Sequence, residues 1–163
     1  MKKLLFGVAL ITLTATLANA QTNFSIAGNI GYATTTNYTL LAGGDVQADI
    51  PAGSGLKITA SAGYESFSYK FNFGAPIGTI KGSTGFIPLL AGAKFNLSTN
   101  LYGHAQVGYS FSTISGGGGA FTYAPSIGYM ISPNLDLAVK YIGLSNHGTV
   151  GGIVARIAYI FGK

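Results

Sequence analysis

The side chains that could do ionic chemistry in this chain are few, and they share one side of the segments that carry them. The only acidic residues are Asp45, Asp49, Glu65 and Asp136. Three segments carry two charges each at an even separation: Asp45 with Asp49, Lys57 with Glu65, and Asp136 with Lys140. Because successive side chains of a β-strand point to opposite faces, both charges of each segment lie on one face. Lys94 and Arg156 fall in the corresponding phase of their own segments.

Charges on such a face must be paired if the face is enclosed, because an unpaired buried charge is very costly. Register counting predicts a cluster of Lys57, Asp49 and Lys94 near one end, and a pair between Asp136 and Arg156. Two interpretations of this network stay open at this stage. It could be a polar plug that fixes the shape of the fold, or it could line a path for ions.

Candidates for other chemistry are sparse. His104 lies among polar residues of the charged face, which favours a hydrogen-bonded core histidine over a metal ligand. Ser145 and His147 are close in sequence, but a hydrolase of lipid acyl chains would also need an acid to orient the histidine. Glu65 is the only acid predicted near that end, and it lies several strands away. We therefore predict no catalytic, metal-binding or cofactor-binding residues.

The segments that hold these residues alternate between apolar and polar side chains over eight stretches bounded by turn-forming residues. The predicted strands are Asn23–Ala33, Tyr38–Ile50, Leu56–Phe67, Phe86–Leu97, Leu101–Thr113, Ala120–Ile131, Leu135–Leu144 and Val150–Phe161. Each is near the ~9–11 residues with which a tilted strand crosses a bilayer, and an even number allows closure. The sequence predicts an all-β fold, an eight-stranded antiparallel up-and-down transmembrane barrel.

The uncharged phase of the same stretches is apolar, which predicts that it faces lipid while the charged phase faces the interior. A soluble barrel of the lipocalin kind would carry charges on its outward phase, and none occur there. Aromatic residues gather near the strand ends, as they do at membrane interfaces. The girdle predicted at one end is Tyr32, Tyr38, Tyr64, Tyr109, Tyr123 and Tyr141. The girdle predicted at the other end is Phe24, Phe95, Tyr129 and Phe161.

Two prolines interrupt this pattern, since Pro88 and Pro125 lie within predicted strands. Each must remove a hydrogen bond from its ladder because proline has no backbone N–H. A local bulge is one explanation. The other is a weakened seam that admits a lipid tail sideways.

The composition and the first residues indicate export. Only 8% of the residues are charged, against about a quarter in ordinary soluble domains. Residues 1–20 are typical of a cleaved secretory signal, with Lys2 and Lys3, an apolar stretch, and a small-x-small site ending at Ala20. Cleavage leaves residues 21–163 as one barrel domain with seven basic and four acidic residues. The basic residues are scattered, which argues against a nucleic-acid partner, and cysteine is absent.

The longest predicted outer loop spans residues 68–85 and contains Lys70 and Lys81. It could be a solvated lid over the barrel mouth. Alternatively, it could contact anionic lipopolysaccharide or a host surface through the two lysines. The other loops at that end are only a few residues long.

The eight alternating strands, the short turns at one end and the terminal Ile157-x-Tyr159-x-Phe161 resemble the small outer-membrane barrels of the OmpA/OmpX type. The resemblance covers residues 21–163 and includes no peptidoglycan-binding domain. It implies a Gram-negative outer-membrane location, periplasmic chaperones and the barrel-assembly machinery as partners during biogenesis, and a monomer surrounded by lipid and lipopolysaccharide.

This reading predicts a non-enzymatic protein with a packed polar interior and a structural or surface-interaction role, without a cofactor. A narrow channel, or a lateral conduit for small solutes, is the second interpretation. A lipid-modifying enzyme is the third.

Overall fold

The computed structural model describes residues 22–72, 74, 78–146 and 148–161. The predicted secretory signal of residues 1–20 and the histidine at position 147 lie outside these described residues. Among the residues that the structure does describe, no helix is long and apolar enough to cross a membrane.

The described chain forms eight antiparallel strands that close into a barrel. The strands are β1 Asn23–Ala33, β2 Tyr38–Gly53, β3 Leu56–Asn72, β4 Thr79–Asn96, β5 Leu101–Ser112, β6 Gly119–Ser132, β7 Leu135–Ser145 and β8 Thr149–Phe161. Each pairs with its neighbour in sequence, and β1 pairs with β8 to close the ring. The predicted eight-stranded architecture is confirmed. We call the end with the β2–β3, β4–β5 and β6–β7 turns the terminal end, and the opposite end the hairpin end.

The alternation of the sequence becomes an outer and an inner surface. On β1, Ile26 and Ile30 are more than half exposed, whereas the intervening Asn29 is buried. On β8, Ile153, Ile157 and Tyr159 point outward in the same way. A soluble monomer rarely exposes such a continuous apolar surface to water, whereas a barrel in a bilayer presents one to the lipid.

β3 and β4 are longer than predicted, and this corrects the long outer loop. The two strands continue together beyond Phe67 and Phe86, so Lys70 and Lys81 lie within strands and face each other across the ladder. In sequence the extension resembled a loop because its outward face carries polar residues such as Lys70, where the other strands carry apolar ones. Its inward face carries Tyr69, so the alternation of the strand continues.

The β2–β3 register also differs from the prediction. The turn lies at Ser54 and Gly55, beyond the predicted centre, and a bulge lies between Pro51 and Gly53, so Asp49 pairs with Thr59 and Lys57 pairs with Pro51. A shift of this kind moves every cross-strand partner of the strand. Lys57 keeps its predicted place beside Lys94, with which it is directly paired.

Neither in-strand proline produces the predicted bulge. The β3·β4 ladder is interrupted around Pro88 and resumes at Glu65 and Phe86 in unchanged register. The β6·β7 ladder is interrupted around Pro125 and resumes at Ser126 in the same manner. The missing proline N–H therefore removes pairing locally, and the strands on either side remain aligned.

Of the ten predicted girdle residues, Tyr38 is placed wrongly. A register irregularity between Tyr38 and Leu41 turns the Tyr38 ring into the barrel, where it packs edge-on against Phe67. The inserted residue changes which face the side chain occupies. The structure places these other rings on the outward phase: Phe24, Tyr32, Tyr64, Phe95, Tyr109, Tyr123, Tyr129, Tyr141 and Phe161.

Several aromatic rings lie over glycines of the neighbouring strand. Phe95 pairs with Gly103, and Tyr123 pairs with Gly143. A Cβ added at either glycine would meet the ring of its partner. Because only glycine leaves this space, each pair favours one register of its ladder.

Candidate functional site

The interior of the barrel is filled by two different kinds of side chain, arranged in order along the axis. On β2 the inward residues include Asp49, then Asp45, then Leu41, from the terminal end to the hairpin end. On β7 the same order gives Asp136, Lys140 and Leu144. The interior therefore has a polar half toward the terminal end and an apolar half toward the hairpin end.

The first group of the polar half, here the terminal cluster, surrounds Lys94. Its Nζ lies 2.8 Å from Asp49 Oδ2 and 3.8 Å from Asp136 Oδ2. Gln47 Nε2 donates to Asp49 Oδ1 at 2.6 Å, and the Tyr102 hydroxyl lies 2.8 Å from both carboxylate oxygens of Asp136. The ammonium group also sits over the Tyr102 ring, 4.6 Å from its centroid. This lysine is therefore held by two carboxylates and one aromatic face.

The second group, here the central cluster, is built on Arg156 and Asp45. Arg156 donates to Asp45 Oδ1 through Nη2 at 2.7 Å and to Oδ2 through Nε at 3.1 Å. Lys140 Nζ lies 3.7 Å from Asp45 Oδ2 and 3.5 Å from Glu65 Oε1. Asn29 bridges both acids, since its Nδ2 donates to Asp45 at 3.0 Å and to Glu65 at 2.7 Å. A two-point contact between a guanidinium and a carboxylate of this kind fixes the relative orientation of the two groups as well as pairing their charges.

The two clusters form one network. Arg156 Nη1 lies 3.9 Å from Asp136 Oδ2, which links the central cluster to the terminal cluster. All four acids of the chain take part, together with three of its basic residues. Lys57 is half-buried at the terminal end and, within the described residues, makes no ion pair shorter than 4.0 Å. Counting Lys57, the interior holds four charges of each sign and carries no net charge.

Some of the contacts predicted from the sequence occur in the structure, and others do not. Lys94 and Asp49 meet as predicted, but Lys57 does not complete their cluster, because the β2–β3 register places it opposite Pro51 rather than Asp49. Asp136 and Arg156 approach each other, although Arg156 makes its shorter contacts with Asp45 across the bore. Sequence reasoning missed this pairing because β2 and β8 are separated by β1, so only closure of the ring brings the two together.

Neutral polar groups complete the polar half. The imidazole Nε2 of His104 lies 2.8 Å from the Thr59 hydroxyl, as expected of a hydrogen-bonded core histidine. Gln106 on β5 donates to Ser61 on β3 at 2.9 Å, past the intervening strand β4. A group of three or more potential metal-ligating residues does not occur within the described part of the chain.

The apolar half was not predicted. Its buried residues, here the apolar cluster, are Leu41, Phe67, Ala120, Ile142, Leu144 and Val154. Phe67 and Leu41 are completely excluded from solvent, and the rings of Tyr38 and Phe86 pack edge-on against Phe67. This half lies in the phase that carries charge elsewhere, so it corrects the expectation of a polar interior throughout. The apolar residues at positions 41, 67, 142 and 154, in the charged phase, were the available signal.

Glu65 lies deeper than the sequence suggested. It is fully buried in the central cluster, one inward position below Phe67, rather than at the hairpin rim. Ser145 is exposed at the end of β7. The acid considered for a lipid-acyl hydrolase is thus held by Asn29 and Lys140 inside the bore. Among the described residues, the side chains that contact Glu65 include neither a serine nor a histidine.

The β3–β4 extension is the other distinctive part of the surface. β3 continues beyond Tyr69, its last residue paired with β2, and β4 continues beyond Phe86, its last residue paired with β5 at that end. Its inward-phase residues Tyr69 and Phe71 are in ring contact, and Tyr69 also packs against Tyr38 at the mouth of the bore. Its outward phase carries Lys70 and Lys81, both exposed.

Comparison with known proteins shows which solved structures share this fold. No family model matches the chain, and no curated protein sequence matches it. The crystal structure of Ail, the attachment invasion locus protein of Yersinia pestis, superposes with a TM-score of 0.57 at 14% identity, covering 87% of this chain and 99% of that chain. A de novo designed transmembrane β-barrel gives 0.56 at 18% identity, covering 85% and 95%.

Neisserial surface protein A also matches, with a TM-score of 0.51 at 14% identity over 87% of this chain and 98% of that chain. Identities this low carry the fold alone. The protein therefore has the fold of the small eight-stranded barrels of the outer membrane, the class to which these neighbours belong.

Proposed function

We propose that this protein is a closed outer-membrane barrel with a structural and surface-interaction role, and that its bore does not conduct. One observation carries this proposal: two unlike layers fill the bore in series. The electroneutral network around Arg156 occupies the polar half, and the solvent-excluded cluster around Phe67 occupies the apolar half. An eight-stranded barrel is only wide enough to be filled by side chains, and an ion would have to displace both layers.

The proposed location is the outer membrane of a Gram-negative bacterium, reached after removal of residues 1–20. In this orientation the terminal end faces the periplasm, and the hairpin end faces outward. Periplasmic chaperones and the barrel-assembly machinery would deliver and insert the chain, with Tyr159 and Phe161 in its terminal strand. The likeness of the fold to Ail and to Neisserial surface protein A supports this location.

The proposed working surface is the β3–β4 extension, because the other hairpins end near the aromatic girdle. Lys70 and Lys81 give this surface a positive charge, and anionic molecules of the cell surface are the matching class of partner. Ail has also been crystallised with the heparin analogue sucrose octasulfate. That observation concerns Ail, and it supports an anionic partner here only through the shared fold.

The test is single-channel conductance of the refolded protein in planar bilayers, after a heat-dependent change in gel mobility has shown that the barrel is folded. We expect no discrete current steps from wild type. The matched variants are Lys94→Met, which removes a charge from the polar layer, and Phe67→Ala, which leaves a cavity in the apolar layer, so each alters one layer only. Both are expected to remain silent because the other layer still closes the bore. Discrete steps in wild type would contradict the proposal and establish the channel interpretation.

A lateral conduit for small apolar solutes is the second candidate. The interrupted ladders at Pro88 and Pro125 support it, because a seam without hydrogen bonds opens at lower cost than an intact one. The same refolded protein in vesicles distinguishes the two candidates. Uptake of a small apolar solute through silent barrels would favour the conduit, and uptake equal to that of protein-free vesicles would leave the closed scaffold.

A further inference from the structure

Lys70 and Lys81 form a pair that the fold holds together without an acidic partner. They are directly opposite each other on neighbouring strands, in the same register as Phe71 with Ile80. Directly opposed side chains of an antiparallel pair have Cβ atoms about 5 Å apart, and like charges at that distance repel. No acid within the described residues comes within 4.0 Å of either lysine, because all four acids are committed inside the bore. The positive charge of the pair is therefore complementary to an anion that comes from outside the chain.

The two lysine side chains lie on the outward face of the barrel, so the anion they could bind lies beside the barrel and not inside its mouth. Lys70 shares its phase on β3 with the lipid-facing Tyr64, so it continues the outward surface of the barrel. The opposite face of the extension carries Tyr69, which packs against Tyr38 over the bore. A ligand inside the barrel mouth would meet that apolar face. The lysines instead meet whatever lies beside the barrel.

Hydroxyl groups line the same outward face between the lysines and the membrane boundary. Ser68 and Ser83 form the next directly opposed pair on that face, one step nearer the barrel. Below them, the exposed outward residues change to Tyr64 and Ile87, which belong to the lipid-facing surface. Two cations above paired hydroxyls suit a phosphate group, which accepts several hydrogen bonds at once.

The height of the two lysines above the membrane distinguishes phospholipid headgroups from glycolipid sugars as the source of the phosphate. Lys70 is six residues beyond Tyr64, which corresponds to roughly 15 Å along the barrel axis for a tilted strand. A phospholipid headgroup layer extends only about 5–8 Å beyond the hydrocarbon. The lysines therefore sit above phospholipid headgroups, at the level that phosphorylated sugars of a glycolipid would occupy.

We infer that Lys70 and Lys81 form a binding site for a phosphate group on the sugar region of lipopolysaccharide beside the barrel. This inference deepens the proposed surface-interaction role and rests on the outer-membrane location. It assigns a membrane-bound partner to the hairpin that projects beyond the girdle, and it orients that partner against one face of the extension.

The test measures binding of a purified, short-chain lipopolysaccharide to the refolded mature protein by native mass spectrometry. Parallel samples receive the same glycolipid after enzymatic removal of its phosphates, phosphatidylglycerol, or inorganic phosphate. Gel mobility before and after boiling shows that each variant is folded. The variants are Lys70→Gln with Lys81→Gln, and an exchange of neighbours, Ile80→Lys with Lys81→Ile. The exchange keeps composition and net charge but turns one lysine to the other face of the strand.

We expect wild type to prefer the phosphorylated glycolipid over each of the other three probes. The double glutamine variant should lose roughly fivefold in affinity for each lysine removed, and the exchange variant should lose about fivefold in total. Full affinity in the exchange variant would overturn the inference, because net charge alone would then explain binding. Equal binding of the dephosphorylated glycolipid, phosphatidylglycerol or inorganic phosphate would overturn it as well. Conductance is a separate readout, so a silent barrel that fails this test disproves only the site.

Discussion

The two halves of the bore occupy the same phase of the same strands, yet different interactions hold them. In the polar half, Arg156, Lys94 and Lys140 each contact two carboxylates, and the positions of those contacts are narrowly defined. In the apolar half, Phe67 and Leu41 are buried among aliphatic and aromatic neighbours, and their side chains contact them through packing of apolar surface, including the edge-on ring contacts of Phe67. Burial of apolar surface depends mainly on area, whereas a buried charge depends on its partner.

This difference assigns the halves different physical roles. Charge pairs inside proteins contribute little net stability over well-packed apolar residues, but a missing partner is strongly destabilising. The polar half therefore selects one register and one closure of the ring, because a slipped strand would separate the Arg156 and Asp45 partners. The apolar half adds stability by burial and closes the hairpin end. The following predictions test this division.

The largest effect is expected from Arg156→Met. This change leaves Asp45 without its two-point partner and takes one cation from Asp136, at a cost of about 4–5 kcal/mol in the free energy of unfolding. The measurement is urea unfolding in lipid vesicles, followed by gel mobility because the chain has no tryptophan.

The matched control for that prediction is the double variant Asp45→Asn with Arg156→Met. Removal of both charges restores neutrality, so we expect it to recover to within about 1 kcal/mol of wild type. If the double variant were as unstable as Arg156→Met, the guanidinium would act through packing, and the proposed role of the polar half would be wrong.

Phe67→Ala is expected to cost somewhat less, about 3 kcal/mol, through lost burial and the cavity that remains. Its neighbours Tyr38 and Phe86 would lose their edge-on contacts, and no second substitution that removes a charge should rescue it. The same vesicle titration measures it, with Phe67→Leu as the control, which should retain most of the stability. A rescue of Phe67→Ala by Asp45→Asn would show that the halves are not independent.

Lys57→Met is expected to have the smallest effect, within about 0.5 kcal/mol of wild type. This lysine belongs to the predicted network by phase, but it is half-buried and lies outside the ion pairs of the described residues. A loss above 2 kcal/mol in the vesicle titration would show that the count of charges, rather than their partners, governs the polar half.

Sequence reasoning recovered the strands because the alternation of apolar and polar residues is a local property. β1 agrees with its predicted bounds, and the other ends differ by a few residues except where β3 and β4 extend. The phase of each strand followed from Ile26, Ile58 and similar apolar positions, so the inward direction of all four acids was predictable. The extension was missed because its outward residues, including Lys70, are those of a loop, and only pairing with β4 shows that it is a strand.

By itself, then, the sequence determined the number of strands, their phase and the set of charges that enter the bore, since a period of two is legible within each segment. Only the tertiary structure decided which charges meet, because Arg156 reaches Asp45 across a ring whose closure no single segment encodes. Local features of the β2–β3 pair decided the rest. The position of its turn placed Lys57 opposite Pro51 rather than Asp49, and the irregularity between Tyr38 and Leu41 turned Tyr38 inward, since one extra residue changes the face of the side chains beyond it.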